Sequence, residues 1–177
     1  CPFGVAGFGF SGMPGVVIGH NDRVAWGFTN LTTDVADLYI EKVQDDQYWR
    51  DGKLVPLESR TETFRVAGGD DVEIEVHETV HGPIVSGVNG DFETIAATPR
   101  IGSGTEPTRA PDGDYAVSLQ WTALQPGTTA RAIFALNLAQ DFDEFRHAAS
   151  LFDVPAQNLV YADVEGNIGY QAPGRLP

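Results

Sequence analysis

The chain has 177 residues, a formal net charge of -14, and 42% hydrophobic residues. That apolar content suffices for one sizeable core in a single domain over 1–177. The acidity argues against a nucleic-acid partner, because nothing here could neutralise a row of phosphates. No apolar run approaches the roughly 20 residues that span a bilayer, and no stretch reads as a signal peptide.

The opening CPFGVAGFGFSGMPG lacks helical periodicity and reads as loop or irregular strand. Cys1, the only cysteine, can form no intrachain disulfide. It could be a lipidated terminus, an autocatalytic nucleophile, or a cut through a longer chain. Val16 to Gly19 and Val24 to Phe28 are β-branched and apolar runs about the polar turn HNDR, a strand pair. Within that turn His20 and Asn21 lack a nearby Ser or Asp for a triad, so a structural role in the hairpin is expected.

Asp37 to Val43 alternates as a strand, and Tyr48 to Lys53 reads as strand, Asp-Gly turn, strand. Thr61 to Val66 and Val72 to Val80 flank AGGDD and predict a further hairpin. The Pro- and Gly-rich stretch from Thr94 to Asp114 reads as a surface excursion, after which Tyr115 to Thr122 returns to strand.

Helical period then takes over, with two adjacent helices near 128–152. The first has Thr at its N-cap and Ile133, Phe134 and Leu138 along one side. The second has Asp141 and Glu144 in capping-box spacing and an apolar stripe of Phe142, Phe145, Ala149 and Phe152. His147 falls on its outer side. The chain closes on a hairpin about Glu165-Gly166-Asn167, and the sum is an α+β fold.

His77-Glu78-Thr79-Val80-His81 fits the zinc-protease pattern H-E-x-x-H, which requires a helix. Val72, Ile74, Val76 and Val80 share one parity while His77 and His81 share the other, the alternation of a half-buried strand. Strand residues four apart lie about 13 Å apart, whereas a zinc–nitrogen bond is about 2.0–2.1 Å. The two imidazoles are expected to share no metal.

PGVVIGHNDRVAWGFTNLTTDVADLYIEKV, residues 14 to 43, resembles the β-subunit segment of the penicillin acylase family. TVHGPIV at 79 to 85, SLQWT at 118 to 122 and NLVYADVEGNIGYQAPGRLP at 158 to 177 resemble that family in the same order. The likeness covers the whole chain, least closely at 86 to 114. It implies a fragment of an αββα N-terminal-nucleophile hydrolase, periplasmic or secreted, that cleaves penicillins, acyl-homoserine lactones or similar N-acyl amides. In such enzymes an N-terminal Ser attacks the carbonyl, its own α-amine is the base, and an acyl-Ser intermediate is hydrolysed.

In the motif register Cys1 falls downstream of that Ser, so the nucleophile, and an Asn oxyanion donor, are expected outside the chain. The resemblance makes the backbone N–H of Asn30 the other oxyanion donor. It places Ile18, Phe28, Trp121 and Gln157 in the acyl pocket, with Gln157 departing from the apolar residue of some relatives. Asp34 and Asp37, with the carbonyl of Ala36, match part of a structural calcium site. The implied partners are an acyl amide, the rest of the β subunit, and an α subunit. The alternative is a non-catalytic β-rich binding domain or lipoprotein beginning at Cys1. Trp26 is expected in the core.

Overall fold

The computed structural model describes residues 3–102 and 108–177; Cys1 and the middle of the 94–114 excursion lie outside them. The first elements are β1 (Ala6–Phe8), β2 (Ile18–His20), β3 (Val24–Asn30), β4 (Ala36–Gln44), β5 (Gln47–Arg50) and β6 (Lys53–Pro56). Next come β7 (Glu58–Phe64), β8 (Val72–Thr79), β9 (Gly82–Pro83), α1 (Gly90–Ala97), β10 (Arg100–Ile101), β11 (Thr108–Arg109) and β12 (Asp114–Trp121). The last are α2 (Thr129–Leu138), α3 (Phe142–Ser150), β13 (Gln157–Asp163) and β14 (Ile168–Gln171). The fold is α+β, rich in strands.

Composition suggested one core; the described residues form two compact units, one of 1–35 with 121–177 and one of 36–120.

The first unit is a five-stranded antiparallel sheet, β1-β2-β3-β13-β14. Val24 and Trp26 of β3, and Leu159 and Tyr161 of β13, alternate onto the buried face. They pack with Ala132, Ile133 and Leu136 of α2 and Phe145 and Ala148 of α3 in one core. Burying a side chain such as Phe145 or Leu159 contributes roughly 1.5–3 kcal/mol. Trp26 belongs to this core, its indole N–H donating to the Val17 carbonyl at 2.9 Å.

Polar side chains finish the turns. Asn21 Oδ1 accepts from the N–H groups of Arg23 and Val24, both at 2.8 Å, and its amide donates to the Ala139 carbonyl at 2.7 Å. That is the structural role expected of the HNDR turn. Asn137, buried in α2, serves Val16 as a strand would: its Oδ1 accepts the Val16 N–H at 2.9 Å and its Nδ2 donates to the Val16 carbonyl.

Two helix readings are corrected. Phe134 and Leu138 are exposed, and the buried face of α2 is Ala132, Ile133, Leu136 and Asn137 instead. Thr128 is the α2 N-cap by position, but its side chain bonds Leu151 and Asp153 rather than the helix. Of the predicted α3 stripe, Phe145, Ala149 and Phe152 are buried and Phe142 is half-buried, and Asp141 Oδ1 accepts the Glu144 N–H at 2.9 Å. Glu144 returns its bond one residue early, to the Gln140 N–H at 2.9 Å.

The second unit holds the four-stranded sheet β12-β4-β5-β6 and the sheet β7-β8-β9. Asp51 and Gly52, both at positive φ (50° and 74°), make the β5–β6 turn that the Asp-Gly pair predicts. Gly82, at φ 127°, admits no other residue, because a Cβ there would collide with the Leu119 carbonyl of β12. The excursion is not wholly irregular. Its first residues belong to α1, capped by Asn89, whose Oδ1 accepts from Asp91 and Phe92, and β10 pairs with β11. β8 is the predicted strand but is not half-buried throughout, since Val72 and Ile74 stand exposed.

Candidate functional site

A cavity of about 590 Å³ lies in the first unit, against α2 and the helix-facing side of β3 and β13. Its walls include Met13, Val17, Phe28, Ile133 and Phe152, with Asn30 and Gln157 supplying a polar patch. Phe28 and Phe152 meet edge to face at 5.9 Å. Two other hollows, of about 440 and 510 Å³, flank α3 and are lined largely by polar and charged side chains such as Asp143, Arg146, Arg23 and Asp163. Of these three, the first alone is walled mainly by apolar side chains.

Strand geometry fixes where the ends of β3 and β13 point. Asn30 sits opposite Gln157, while Leu31 N–H donates to the Ala156 carbonyl and Gln157 N–H turns away to the Pro173 carbonyl. Asn30 and Gln157 therefore form a non-hydrogen-bonded pair, and the Asn30 N–H points away from β13. On that side the β2 pairing has already ended at Trp26. Gln157, 3% exposed, donates from Nε2 to Asn30 Oδ1 at 2.9 Å. Asn158 Nδ2 donates to the Asn30 carbonyl at 3.2 Å.

Of the four residues expected in the acyl pocket, Phe28 and Gln157 line this cavity and the other two do not. Ile18 lies on the opposite face of the sheet from Phe28. A Cβ on Gly27, the neighbour of Phe28, would touch Ile18 and Val160 there. Trp121, at the end of β12, is 40% exposed. Ile133 and Phe152 are walls that the sequence left undistinguished from core, since an apolar helix stripe looks the same in either place, and Met13 joins them from the coil before β2. None of the described residues lining the cavity is titratable. Its described walls present apolar surface and oriented amides but no acid or base.

A second constellation, in the other unit, joins three of the motif stretches. Glu41 is buried, and its Oε1 accepts from Ser118 Oγ and Thr79 Oγ1, each at 2.9 Å. The same oxygen faces His81 Nδ1 at 2.7 Å. A carboxylate can only accept, so Nδ1 carries the proton. The His81 ring stacks on Tyr39 at 3.8 Å. Ser118 donates to Glu41, not to His81, and has 0% exposure. Ser, His and Glu here form a scaffold, with no nucleophile–base pair. The other imidazole of the H-E-x-x-H stretch, His77, bonds Ser59 Oγ at 2.7 Å.

Asp34 is exposed in the coil before β4, and Asp37 is half-buried at the start of β4. Among the described residues neither carboxylate has an ion-pair partner. With the Ala36 carbonyl they offer three hard oxygens, part of the 6–8 that calcium takes. Among the described residues no third His, Cys, Asp or Glu side chain joins them in a metal-sized group. No helix among the described residues is long and apolar enough to cross a membrane.

The profile of the family described as penicillin amidase matches residues 1–177. The chain is 31% identical to acyl-homoserine lactone acylase QuiP of Pseudomonas aeruginosa over 176 residues, 97% of this chain and 20% of that protein. It is also 31% identical to penicillin G acylase of Escherichia coli, over 93% of this chain and 17% of that protein. Among solved structures, a thermostable penicillin G acylase from Alcaligenes faecalis superposes with a TM-score of 0.74 at 29% identity. That likeness covers 98% of this chain and 28% of the other. The chain thus spans about a fifth of the length of the curated relatives it matches.

Proposed function

Since the chain belongs to the penicillin amidase family, a family of amide hydrolases, we propose that it is a β-subunit segment of an enzyme that cleaves N-acyl amides through an acyl-Ser intermediate. The nucleophilic Ser and the α-amine that takes its proton lie outside these 177 residues. The amine accepts the Ser hydroxyl proton as Oγ attacks the acyl carbonyl, then protonates the departing amine. Water afterwards hydrolyses the acyl ester. Within this chain the Asn30 N–H donates to the oxyanion, Phe28 and its apolar neighbours bind the acyl group, and Gln157 closes one wall. The remainder of the β subunit, and an α subunit, complete the site. As an exporting compartment suits such a family, the enzyme is assigned to the periplasm or outside the cell.

One observation carries this reading: an apolar cavity of about 590 Å³ with Asn30 in its wall, the Asn30 N–H pointing away from β13. The coverage of about a fifth of the relatives supports placing the remaining machinery elsewhere. The test is turnover of phenylacetyl and long-chain acyl amides by the intact parent enzyme. Release of free amine and carboxylic acid is expected; an intact parent that hydrolyses neither contradicts the assignment.

Asp34, Asp37 and the Ala36 carbonyl are proposed to hold part of a structural calcium ion, which would stabilise the folded state that binds it. In the parent, Asp34→Ala and Asp37→Ala should lower the melting temperature with calcium and leave it nearly unchanged with chelator. Equal shifts in both conditions would make these ordinary turn carboxylates.

A further inference from the structure

Gln157 is a costly choice for a cavity wall. Burying its amide requires a partner, and an apolar side chain would pack better beside Phe28 and Phe152. The hydrogen bond from its Nε2 to Asn30 Oδ1 is not needed to hold the strands together. The Leu31 N–H to the Ala156 carbonyl, at 3.0 Å, already secures that end of the ladder. What it adds is a grip on one residue. Asn30 ends β3, and the chain beyond it, through Val35, is coil. As half of a non-hydrogen-bonded pair, Asn30 receives no main-chain bond from Gln157 opposite. Side chains supply the hold instead: Gln157 on its side-chain oxygen and Asn158, at 3.2 Å, on its carbonyl.

We infer that Gln157 is a positioning residue, fixing Asn30 so that its N–H stays aimed at the developing oxyanion; this rests on the oxyanion role proposed for Asn30. The logic is preorganisation. A donor already oriented costs no reorganisation when charge appears, whereas one at a loose strand end must be ordered in every turnover. Because the grip acts on the transition state, its loss lowers kcat and spares KM. A residue that only shaped the pocket would change KM, and would do so differently for different acyl groups.

The experiment uses the full parent enzyme with a phenylacetyl and a long-chain acyl amide. Gln157→Met keeps the length and removes the amide. Its kcat should fall about three- to tenfold, the worth of one such bond, by a similar factor for both substrates and with KM nearly unchanged. Asn30→Ala, which keeps the backbone donor and removes the gripped oxygen, should lose as much as Gln157→Met. The double variant should be no worse than either single one. Losses confined to KM that vary with the acyl group, or full additivity in the double variant, would overturn the inference. Should Gln157→Met fail to fold, Asn30→Ala at its exposed site separates kcat from KM in the same way. An inactive unmodified parent would instead overturn the proposed function.

Discussion

Asp163 shows at the level of one residue how a turn becomes rigid. Its carboxylate accepts the Asn167 side-chain amide, the Asn167 and Glu165 N–H groups and the Tyr161 hydroxyl, each at 2.9 Å. Those donors, the Asn167 side chain foremost, outweigh the opposing effect of burial and hold its pKa down at about 2. Burial, then the bond to Asp163, pushes the Tyr161 phenol up to about 12. A depressed carboxyl contributes stability that is full above its unfolded pKa of about 3.9 and lost as pH falls through the folded value. The window is therefore from about pH 4 down to about pH 2. Asp163→Asn should lower the melting temperature at pH 7 and close the gap to the unmodified protein as the pH falls through that window. Melting curves that stay equally separated from pH 7 to about pH 2 would contradict this.

Among the elements, β8 decides between two readings of one motif. Its Val72 to Thr79 backbone is a strand paired with β7 from Glu58↔Glu78 to Phe64↔Val72. His77 is engaged by Ser59, and His81 in the turn beyond is engaged by Glu41. Metal analysis after dialysis should find no stoichiometric zinc that both His77→Ala and His81→Ala abolish; finding it would refute the strand argument. Strands with clear alternation or a defined turn, such as β3, β5 and β6, were legible because local chemistry sets them. The α1 helix was not, because an eight-residue helix with no buried residue leaves little apolar period to read. Phe134 and Leu138 misled for a related reason. Period marks which residues share a side, while packing decides that Ala132, Ile133 and Leu136 are the ones that face the sheet. β8 errs in the same direction: alternation gave the strand, yet the apolar face with Phe64, Val72 and Ile74 is open in this chain.

At the scale of the whole molecule, the family was legible in four motif stretches, but the site only in part. Phe28, Asn30 and Gln157 come together across β3 and β13, which a linear sequence separates by 127 positions between Asn30 and Gln157. Ile18 could not be sorted from them without the register, since one residue of shift moves a side chain to the other face. Nor could the Gln157–Asn30 bond be foreseen from a residue type that merely departs from an apolar expectation. None of the described residues in the cavity walls is titratable, and the proposed reading assigns the nucleophile and its base to the rest of the parent. The most direct measurement is to quench the parent enzyme during turnover of a slow N-acyl ester or amide and map the acylated peptide by mass spectrometry. The acyl group is expected on a Ser at the N-terminus of the mature β subunit, outside residues 1–177. An acyl group found on Cys1, Ser11 or any other residue of this chain would contradict the account.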